Sequence, residues 1–277
     1  GGARGFAHLG VYRALREAGI PVDAIGGCSI GAPIGAGIAR GVPVDEQVDL
    51  AQQLFDRLLD YTLPVVALLR GRRITASIQE AFSGWDIEDL WLPYYCVSTD
   101  LTTSQLAVHR SGDCARAVRA SVSIPGVLPP VPIGRSLHVD GGVLNNLPVE
   151  AMAADPRIGA VLAVDVAPPV GPRAKSDYGL SVPGTKALYA TATRRGPRYP
   201  KITSVLIRSM LAGAIHHQQR AVDTVAPTAV FRLTLAGVGL LEFDRVHEVS
   251  ELGRHAVADQ VADFAAELPE LVRSAGR

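Results

Sequence analysis

Apolar residues in the first sixty positions recur either at helical spacing or in short continuous runs. Residues 6–18 place small or apolar side chains three and four positions apart, which predicts a helix that ends at Gly19. The apolar run at 20–25 then predicts a strand, and residues 44–60 predict an amphipathic helix. Helices and strands that alternate in this way are typical of an α/β protein.

The same two patterns continue through the rest of the chain. Stretches at 94–101 and 105–110 are rich in β-branched and aromatic residues, and the short polar turn between them predicts a hairpin. The continuous apolar run at 158–166 predicts a strand covered on both faces. The remaining predictions are a helix at 114–123, a helical segment at 185–193, a helix at 202–225, a strand at 229–235 and a helix at 245–267.

Two segments allow more than one interpretation. Residues 61–82 mix an apolar run at 63–69 with arginines, and predict either an apolar flap over a site or helices packed on the core, of which we favour the core. Residues 168–200 are rich in Pro, Gly and basic residues and predict a mobile loop. The basic cluster at 194–201 faces either anionic headgroups or solvent, and we favour solvent.

Length and composition favour one large domain. The chain has 277 residues, of which 48% are hydrophobic and 19% are charged, enough for one sizeable core. We therefore expect a single domain over 1–277, with a core at 1–166, the loop at 168–200, and helices and a strand at 202–277.

Charge and cysteine content exclude several classes of function. Lys plus Arg and Asp plus Glu both number 27, so the net charge is +0 and no electrostatic basis for binding nucleic acid exists. The three cysteines lack C-x-x-C spacing, which suggests neither a disulfide framework nor a zinc site and fits the reducing cytoplasm. No apolar run reaches the roughly 18 residues needed to span a bilayer, so we expect these residues to make only peripheral membrane contact.

The segment Gly26-Gly27-Cys28-Ser29-Ile30-Gly31 carries the strongest chemical signal. It lies between the predicted strand and a helix-compatible stretch at 32–40, so Ser29 falls on a sharp turn where a serine nucleophile belongs. Flanking glycines allow a strained backbone, and the helix N-terminus stabilises negative charge nearby. A glycine-rich turn that only packs a strand against a helix is the alternative.

Acyl transfer also needs a base and hydrogen-bond donors for the oxyanion. Asp140 follows a short predicted strand and precedes two glycines, which makes it the carboxylate best placed to act as base. An aspartate at an ordinary turn is the alternative interpretation. The backbone amides of Gly1, Gly2 and Ala3 could supply the donors, because successive amides near glycines can point into one concavity.

Three ordered motifs resemble those of the patatin-like phospholipases. Within that family the chain looks most like the neuropathy target esterase branch and its bacterial lysophospholipase relatives. The motifs are Gly1-Gly2-Ala3-Arg4-Gly5, Gly27-Cys28-Ser29-Ile30-Gly31 and Asp140-Gly141-Gly142. Further likeness lies in His8 with Gly10, at 87–93, in Val118-Arg119-Ala120-Ser121 and in Asn145-Asn146-Leu147-Pro148.

The resemblance implies a three-layer α/β/α sandwich with a mainly parallel central sheet. It implies hydrolysis of ester bonds in phospholipids and lysophospholipids, with no metal and no cofactor. Ser29 would be the nucleophile and Asp140 the other member of a Ser-Asp dyad. The oxyanion hole would comprise Gly1, Gly2, Ala3, Arg4, Gly5 and Ile30. Glycines that support the motifs would be Gly27, Gly31, Gly141 and Gly142.

Relatives of this kind carry an apolar strand ahead of the glycine loop, and often carry cyclic-nucleotide-binding domains or membrane segments further upstream. We therefore expect the first strand of the sheet, and any regulatory domain, upstream of residue 1. The expected partners are a lipid substrate and a membrane or micelle surface. The expected location is the cytoplasm or the cytoplasmic face of a membrane.

Three other functions fit parts of the pattern. A general carboxylesterase or thioesterase with a Ser-His-Asp triad would need a histidine after the acid. The histidines that follow Asp140 are His216, His217, His247 and His255, each on a predicted helix. A nucleotide-binding module would explain a glycine-rich loop, but the sequence has neither G-x-x-x-x-G-K-[ST] nor G-x-G-x-x-G after a strand. A catalytically inactive lipid-binding or regulatory domain would need no intact serine and aspartate.

Overall fold

The fold is that of a computed structural model, which describes residues 2–55, 60, 62–63, 65–166, 176–193, 195–200, 202–235, 237–239 and 242–267. The α-helices are α1 (Ala7–Glu17), α2 (Gly31–Ala39), α3 (Val44–Phe55), α4 (Arg72–Phe82), α5 (Cys114–Ser121), α6 (Val149–Ala153), α7 (Gly184–Thr193), α8 (Ile202–Val225), α9 (Val246–Ala256) and α10 (Ala258–Glu267). The strands are β1 (Ile25–Cys28), β2 (Tyr94–Asp100), β3 (Gln105–His109), β4 (Val131–Ile133), β5 (Ser136–Asp140), β6 (Leu162–Asp165) and β7 (Ala229–Arg232).

The larger sheet is assembled on β2. One edge of β2 pairs with β3, and the opposite edge is shared by two strands. β1 runs parallel to the first half of this edge and ends with Cys28 opposite Val97. β5 runs antiparallel to the second half and ends with Asp140 opposite Ser98. The C-terminal ends of β1 and β5 therefore meet at neighbouring residues of β2.

The direction of the strands follows from how they are connected. β2 and β3, and also β4 and β5, are antiparallel pairs joined by short turns, because a tight turn can only join antiparallel strands. β1 and β2, separated by several helices, are parallel, as are β6 and β7 in a second, two-stranded sheet. The predicted α/β class is confirmed, but the expected mainly parallel sheet is corrected to a mixed one.

Helices cover both faces of the sheets. On β2, Tyr94 and Cys96 pack into a buried cluster with α2, α4 and α5, whereas the intervening Tyr95 faces α6. On β7, Phe231 faces a cluster that contains α1 and α9, and the adjacent Val230 faces α8. Alternate residues of a strand thus contact opposite layers, and the predicted three-layer arrangement is confirmed.

Several predicted elements have different bounds in the structure. Ile20, at the start of the predicted strand, is buried but belongs to no strand. β1 begins only at Ile25, which pairs with Tyr94 of β2. The helix predicted at 245–267 is two helices, α9 and α10, separated at the fully buried Val257. β4 was not predicted, because its Pro-rich sequence shows no strand pattern.

The two ambiguous segments have different outcomes. α4 packs its apolar face into the core, as we favoured for residues 61–82, but Leu63, Val65 and Val66 are exposed. Residues 61 and 64 of that stretch lie outside the described residues. α7 lies where one helical segment was expected, while residues 167–175, 194 and 201 are not described.

Glycines bring α1 and α9 into direct backbone contact. A Cβ on Gly10 would lie 1.9 Å from the carbonyl oxygen of Ser250, and one on Gly253 would lie 2.4 Å from that of Ala7. No side chain larger than hydrogen fits at either position. Because α1 follows directly from the glycine loop, this contact helps to hold the loop in place.

We expect Gly10→Ala to lower the free energy of unfolding by roughly 1–3 kcal/mol, because the added methyl group forces α1 and α9 apart. Denaturant unfolding measures this change. Gly213→Ala is the matched control, since a Cβ at that position of α8 meets nothing within 4 Å. The control should raise stability by up to about 1 kcal/mol through helix propensity. Equal effects of the two substitutions would show that the helices do not pack through Gly10.

Candidate active site

Ser29 lies on a tight turn between β1 and α2. Its φ angle is 55°, a left-handed conformation that costs a non-glycine residue about 1 kcal/mol or more. The turn is so tight that a Cβ on Gly27 would lie 2.3 Å from the carbonyl oxygen of Gly31. Gly31 itself is less constrained, since the nearest atom to a Cβ at that position would be in the ring of His8, at 3.6 Å. The backbone thus makes the sharp strand-to-helix turn that is typical of a nucleophile elbow.

The Ser29 hydroxyl donates a hydrogen bond to Asp140. Ser29 Oγ lies 2.7 Å from Asp140 Oδ2, across the point where β1 and β5 meet. The other carboxylate oxygen, Oδ1, accepts a hydrogen bond of 2.8 Å from the backbone amide of Gly142. Both oxygens of the carboxylate therefore have fixed partners, which holds Oδ2 toward the serine.

Burial dominates the electrostatics of this carboxylate. Asp140 is only 3% exposed, and the resulting loss of hydration raises its pKa from 3.8 to about 6, although hydrogen bonds from Ser29 and Gly142 oppose the shift. A carboxylate with a raised pKa is a stronger base than an exposed one. At neutral pH this group is still ionised and can accept a proton.

Close packing of glycine positions Asp140 against the sheet. A Cβ on Gly141 would lie 2.6 Å from the carbonyl oxygen of Val97 and 3.0 Å from Cys28 Sγ. A Cβ on Gly142 would lie 3.1 Å from Asp140 Oδ1, the oxygen that accepts from the amide of the same glycine. The predicted glycines after the aspartate therefore have a steric reason, which is strongest at Gly141.

The glycine loop forms a short 3-10 helix, Gly2–Phe6, that packs against the turn. A Cβ on Gly5 would lie 1.7 Å from Ile30 Cγ2, so the loop touches the residue that follows Ser29. Arg4 anchors the loop on its other side by donating from Nε to the carbonyl oxygen of Val238 at 2.8 Å. Ala3 is fully buried, and Gly1 lies outside the described residues.

Sequence reasoning missed the contribution of α5 and the residues that follow it. Ser121 Oγ accepts a hydrogen bond of 3.1 Å from the Ser29 amide, and the carbonyl oxygen of Ser123 accepts one of 2.9 Å from the Asp140 amide. Both serines are fully buried. Ser121 belongs to a stretch that carried the family resemblance, but nothing in its sequence context indicated a contact with the turn.

Histidines occupy none of the positions that a triad requires. In the described part of the chain no histidine hydrogen-bonds to Ser29 or Asp140. His247 lies 3.3 Å from Asp49, and His255 lies 4.0 Å from Glu251, both on the exposed surface. The other two predicted alternatives, His216 and His217, are exposed on α8.

One cavity of about 550 Å³ lies away from this site. It is lined by residues that include Ile25 and Tyr94, at the N-terminal ends of β1 and β2, so it lies at the end of β1 opposite to the Ser29 turn. Within the described residues no group of three or more His, Cys, Asp and Glu side chains is placed to hold a metal ion. Among the described helices none is long and apolar enough to cross a membrane.

The fold and the site together define an α/β protein with a serine on a strand-to-helix turn, hydrogen-bonded to a buried aspartate. Comparison with protein families adds a name to this class. Residues 1–153 match the family described as patatin-like phospholipase, and the chain belongs to that family.

Curated relatives support the predicted branch. An uncharacterized NTE family protein of Mycobacterium bovis is 37% identical over 99% of this chain and 46% of its own length. A patatin-like phospholipase domain-containing protein of Caenorhabditis elegans is 37% identical over 91% of this chain and 19% of its own length. Lysophospholipase NTE1 of Debaryomyces hansenii is 33% identical over 94% of this chain and 17% of its own length. The chain thus spans less than half the length of these relatives.

We expect the burial of Asp140 to make stability depend on pH. The folded pKa of about 6 lies above the ordinary 3.8, so the folded state holds its proton more tightly and loses stability as pH rises from about 4 to 6. The loss should reach about 3 kcal/mol and then level off. Denaturant unfolding of the wild-type chain and of Asp140→Asn, which cannot ionise, measures the difference. A difference that stays constant across this range would contradict the raised pKa.

Proposed function

We propose that the chain is a serine hydrolase of lipid esters, and specifically a lysophospholipase. The observation that carries the proposal is the 2.7 Å hydrogen bond from Ser29 Oγ to the buried carboxylate of Asp140. Membership of the patatin-like phospholipase family supports ester hydrolysis, and the name of the Debaryomyces relative favours lysophospholipids over diacyl substrates. We further propose that 1–277 acts as a single catalytic domain, on the cytoplasmic side of a membrane.

In the first half of the proposed reaction, Ser29 Oγ attacks the acyl carbonyl carbon while its proton passes to Asp140 Oδ2. The negative charge that develops on the carbonyl oxygen is stabilised by backbone amides of the glycine loop and of Ile30. Collapse of this intermediate breaks the ester bond, and the leaving alcohol takes the proton from Asp140. The serine is left acylated.

In the second half a water molecule replaces the alcohol. Asp140 accepts a proton from this water as its oxygen attacks the acyl-enzyme, and the same amides stabilise the second oxyanion. Proton return from Asp140 to Ser29 Oγ releases the fatty acid and restores the enzyme. One carboxylate thus serves both halves, which is consistent with its direct hydrogen bond to the serine.

The environment of Asp140 explains how a carboxylate can replace histidine as base. An aspartate at its ordinary pKa holds a proton too weakly to take it from a serine, whereas burial moves this group toward neutral pH. In the rival triad a histidine would lie between the aspartate and the serine. Here the Ser29 hydroxyl donates directly to Asp140. An inactive lipid-binding domain would have no reason to retain the strained backbone of Ser29.

Substitution of the dyad tests the proposed roles. Ser29→Ala should reduce hydrolysis of a lysophospholipid to background. Asp140→Asn keeps the shape of the side chain but removes the base, so kcat should fall by roughly 10² to 10⁴ while the fold survives. Fatty acid release measures turnover, and covalent labelling by a fluorophosphonate reports whether Ser29 is reactive.

His217→Ala and His247→Ala serve as controls because both side chains are exposed away from the dyad. Each should retain nearly full turnover. A folded histidine variant as inactive as Asp140→Asn would replace the dyad by a triad. Failure of the wild-type chain to react with the fluorophosphonate or to hydrolyse any ester would instead favour the inactive lipid-binding domain.

The pH dependence of turnover gives an independent test. Since Asp140 must be ionised to accept the proton, kcat/KM should fall about tenfold per pH unit below pH 6 and be constant from about pH 7 upward. Initial rates on a soluble short-chain ester measure this profile without interference from lipid aggregation. A profile that is flat down to pH 4.5 would argue that a different group acts as base.

A further inference from the structure

Three apolar side chains protrude from the segment between α3 and α4. Leu63 is 82% exposed, Val65 88% and Val66 67%, among the most exposed large apolar residues in the described part of the chain. Single exposed apolar residues are common in proteins, but several in one short segment usually mark a contact surface.

The base of this segment is hydrogen-bonded to the rest of the protein. The amide of Leu68 donates to the carbonyl oxygen of Gly126 and that of Leu69 to Val127, both at 3.0 Å. Thr62 closes the segment on itself by donating to the carbonyl oxygen of Leu68 at 3.1 Å. Leu69 is buried in the core. The protruding side chains therefore stand on an anchored base.

This segment lies beside the part of the chain that supports the proposed site. Gly126, which accepts from Leu68, follows three residues after Ser123, whose carbonyl oxygen accepts from the Asp140 amide. Leu206 of α8 approaches the same glycine, with its Cδ1 3.6 Å from the Cβ position, and is 45% exposed. Gly126 thus links the base of the protruding segment to Leu206 of α8.

Exposed positive charge follows the apolar residues. Arg70 and Arg72 are exposed and form no ion pair within the described residues. The neighbouring carboxylate of Asp60 accepts hydrogen bonds from the amides of Gly71 and Arg72, at the N-terminus of α4. These contacts bind the acidic group to the helix end and leave the two guanidinium groups available for an external anion.

We propose that Leu63, Val65, Val66 and Leu206, together with Arg70 and Arg72, form a surface that docks on an anionic lipid bilayer. We call it the tip surface. Its apolar side chains would enter the boundary between headgroups and acyl chains, while the arginines contact anionic headgroups. This inference rests on the proposed function only in that it explains how the enzyme reaches a substrate held in a membrane.

A lipid surface fits the tip surface better than a second copy of the chain. In a two-fold symmetric dimer built on this surface, the same patch would face itself, so Arg70 and Arg72 of both copies would enter one interface in which the tip surface offers no acidic partner. Such like charges would repel each other. A bilayer that contains anionic lipids presents the opposite charge next to an apolar interior.

Co-sedimentation with vesicles tests the tip surface separately from catalysis. The chain should bind vesicles of phosphatidylcholine mixed with phosphatidylserine more tightly than vesicles of phosphatidylcholine alone, and the excess should shrink as salt is raised. Val65→Asp should lower binding at least about tenfold, because it places a charge where an apolar side chain enters the lipid. The matched control is Leu188→Asp on α7, where Leu188 is 71% exposed but lies outside the tip surface.

Charge reversal tests the arginines. Arg70→Glu combined with Arg72→Glu should reduce binding to vesicles with phosphatidylserine by roughly fivefold or more for each arginine, with little effect on phosphatidylcholine alone. The control is Arg135→Glu, in the exposed turn between β4 and β5. Equal losses from the test and control variants, or binding that ignores phosphatidylserine, would overturn the assignment. If the chain instead forms concentration-dependent dimers and Val65→Asp abolishes them, the partner of the tip surface is a second copy of the chain and not a bilayer.

Hydrolysis of a soluble short-chain ester, measured in parallel, separates the two proposals. If the wild-type chain hydrolyses the ester but binds no vesicles, the tip surface is wrong and the proposed function stands. If it binds vesicles through the tip surface but hydrolyses nothing, the docking surface stands and the proposed function fails. Val65→Asp should retain full activity on the soluble ester, since the tip surface touches neither Ser29 nor Asp140.

Discussion

The proposed site depends on how two strands share one edge of β2. β1 ends opposite Val97 and β5 ends with Asp140 opposite Ser98, so backbone pairing brings Ser29, the residue after β1, next to Asp140. A shift of either strand by one residue would turn its side chains to the other face of the sheet and separate Ser29 from Asp140. Hydrogen bonds of the sheet therefore determine the geometry of the dyad.

This arrangement stores two unfavourable features in one place. Ser29 has a left-handed backbone, and Asp140 is a carboxylate with almost no access to water. Neighbouring groups offset part of both costs, because Ser121 accepts from the serine amide while Gly142 donates to the carboxylate. The remaining cost appears as the raised pKa of Asp140. The property that lowers stability as pH rises from about 4 to 6 is the same property that, in the proposed mechanism, makes Asp140 a useful base.

Chemistry was easier to predict from sequence than geometry. The turns at Ser29 and at Asp140-Gly141-Gly142 were predicted from neighbouring glycines. Glycine is required where the backbone approaches other atoms too closely to leave room for a Cβ. Helices with clear periodicity, such as α1 and α8, were also predicted close to their observed bounds. These features depend on residues near one another in the chain.

What the sequence did not indicate depends on long-range contacts. The pairing of β5 with the second half of β2 joins residues about forty positions apart, and no local pattern encodes it. The support from Ser121 and Ser123 was missed for the same reason, because a buried serine beside a short helix is common and its partner lies far away in sequence. The exposure of Leu63, Val65 and Val66 fits the apolar flap that we did not favour for this stretch, since apolar runs are usually buried.

The end of α5 and the residues that follow it connect these long-range features. Between Ser121 and Val127 this stretch accepts hydrogen bonds from the amides of Ser29 and Asp140 at one end, and from those of Leu68 and Leu69 at the other. The tip surface and the dyad are therefore attached to the same piece of backbone. A tip surface seated on a bilayer would place the serine at a defined distance from the lipid, without any change in conformation. A substrate lipid would then have to rise out of the bilayer by that distance to bring its ester bond to Ser29. Lipids with a single acyl chain would do so more readily than lipids with two, because they lose less apolar contact.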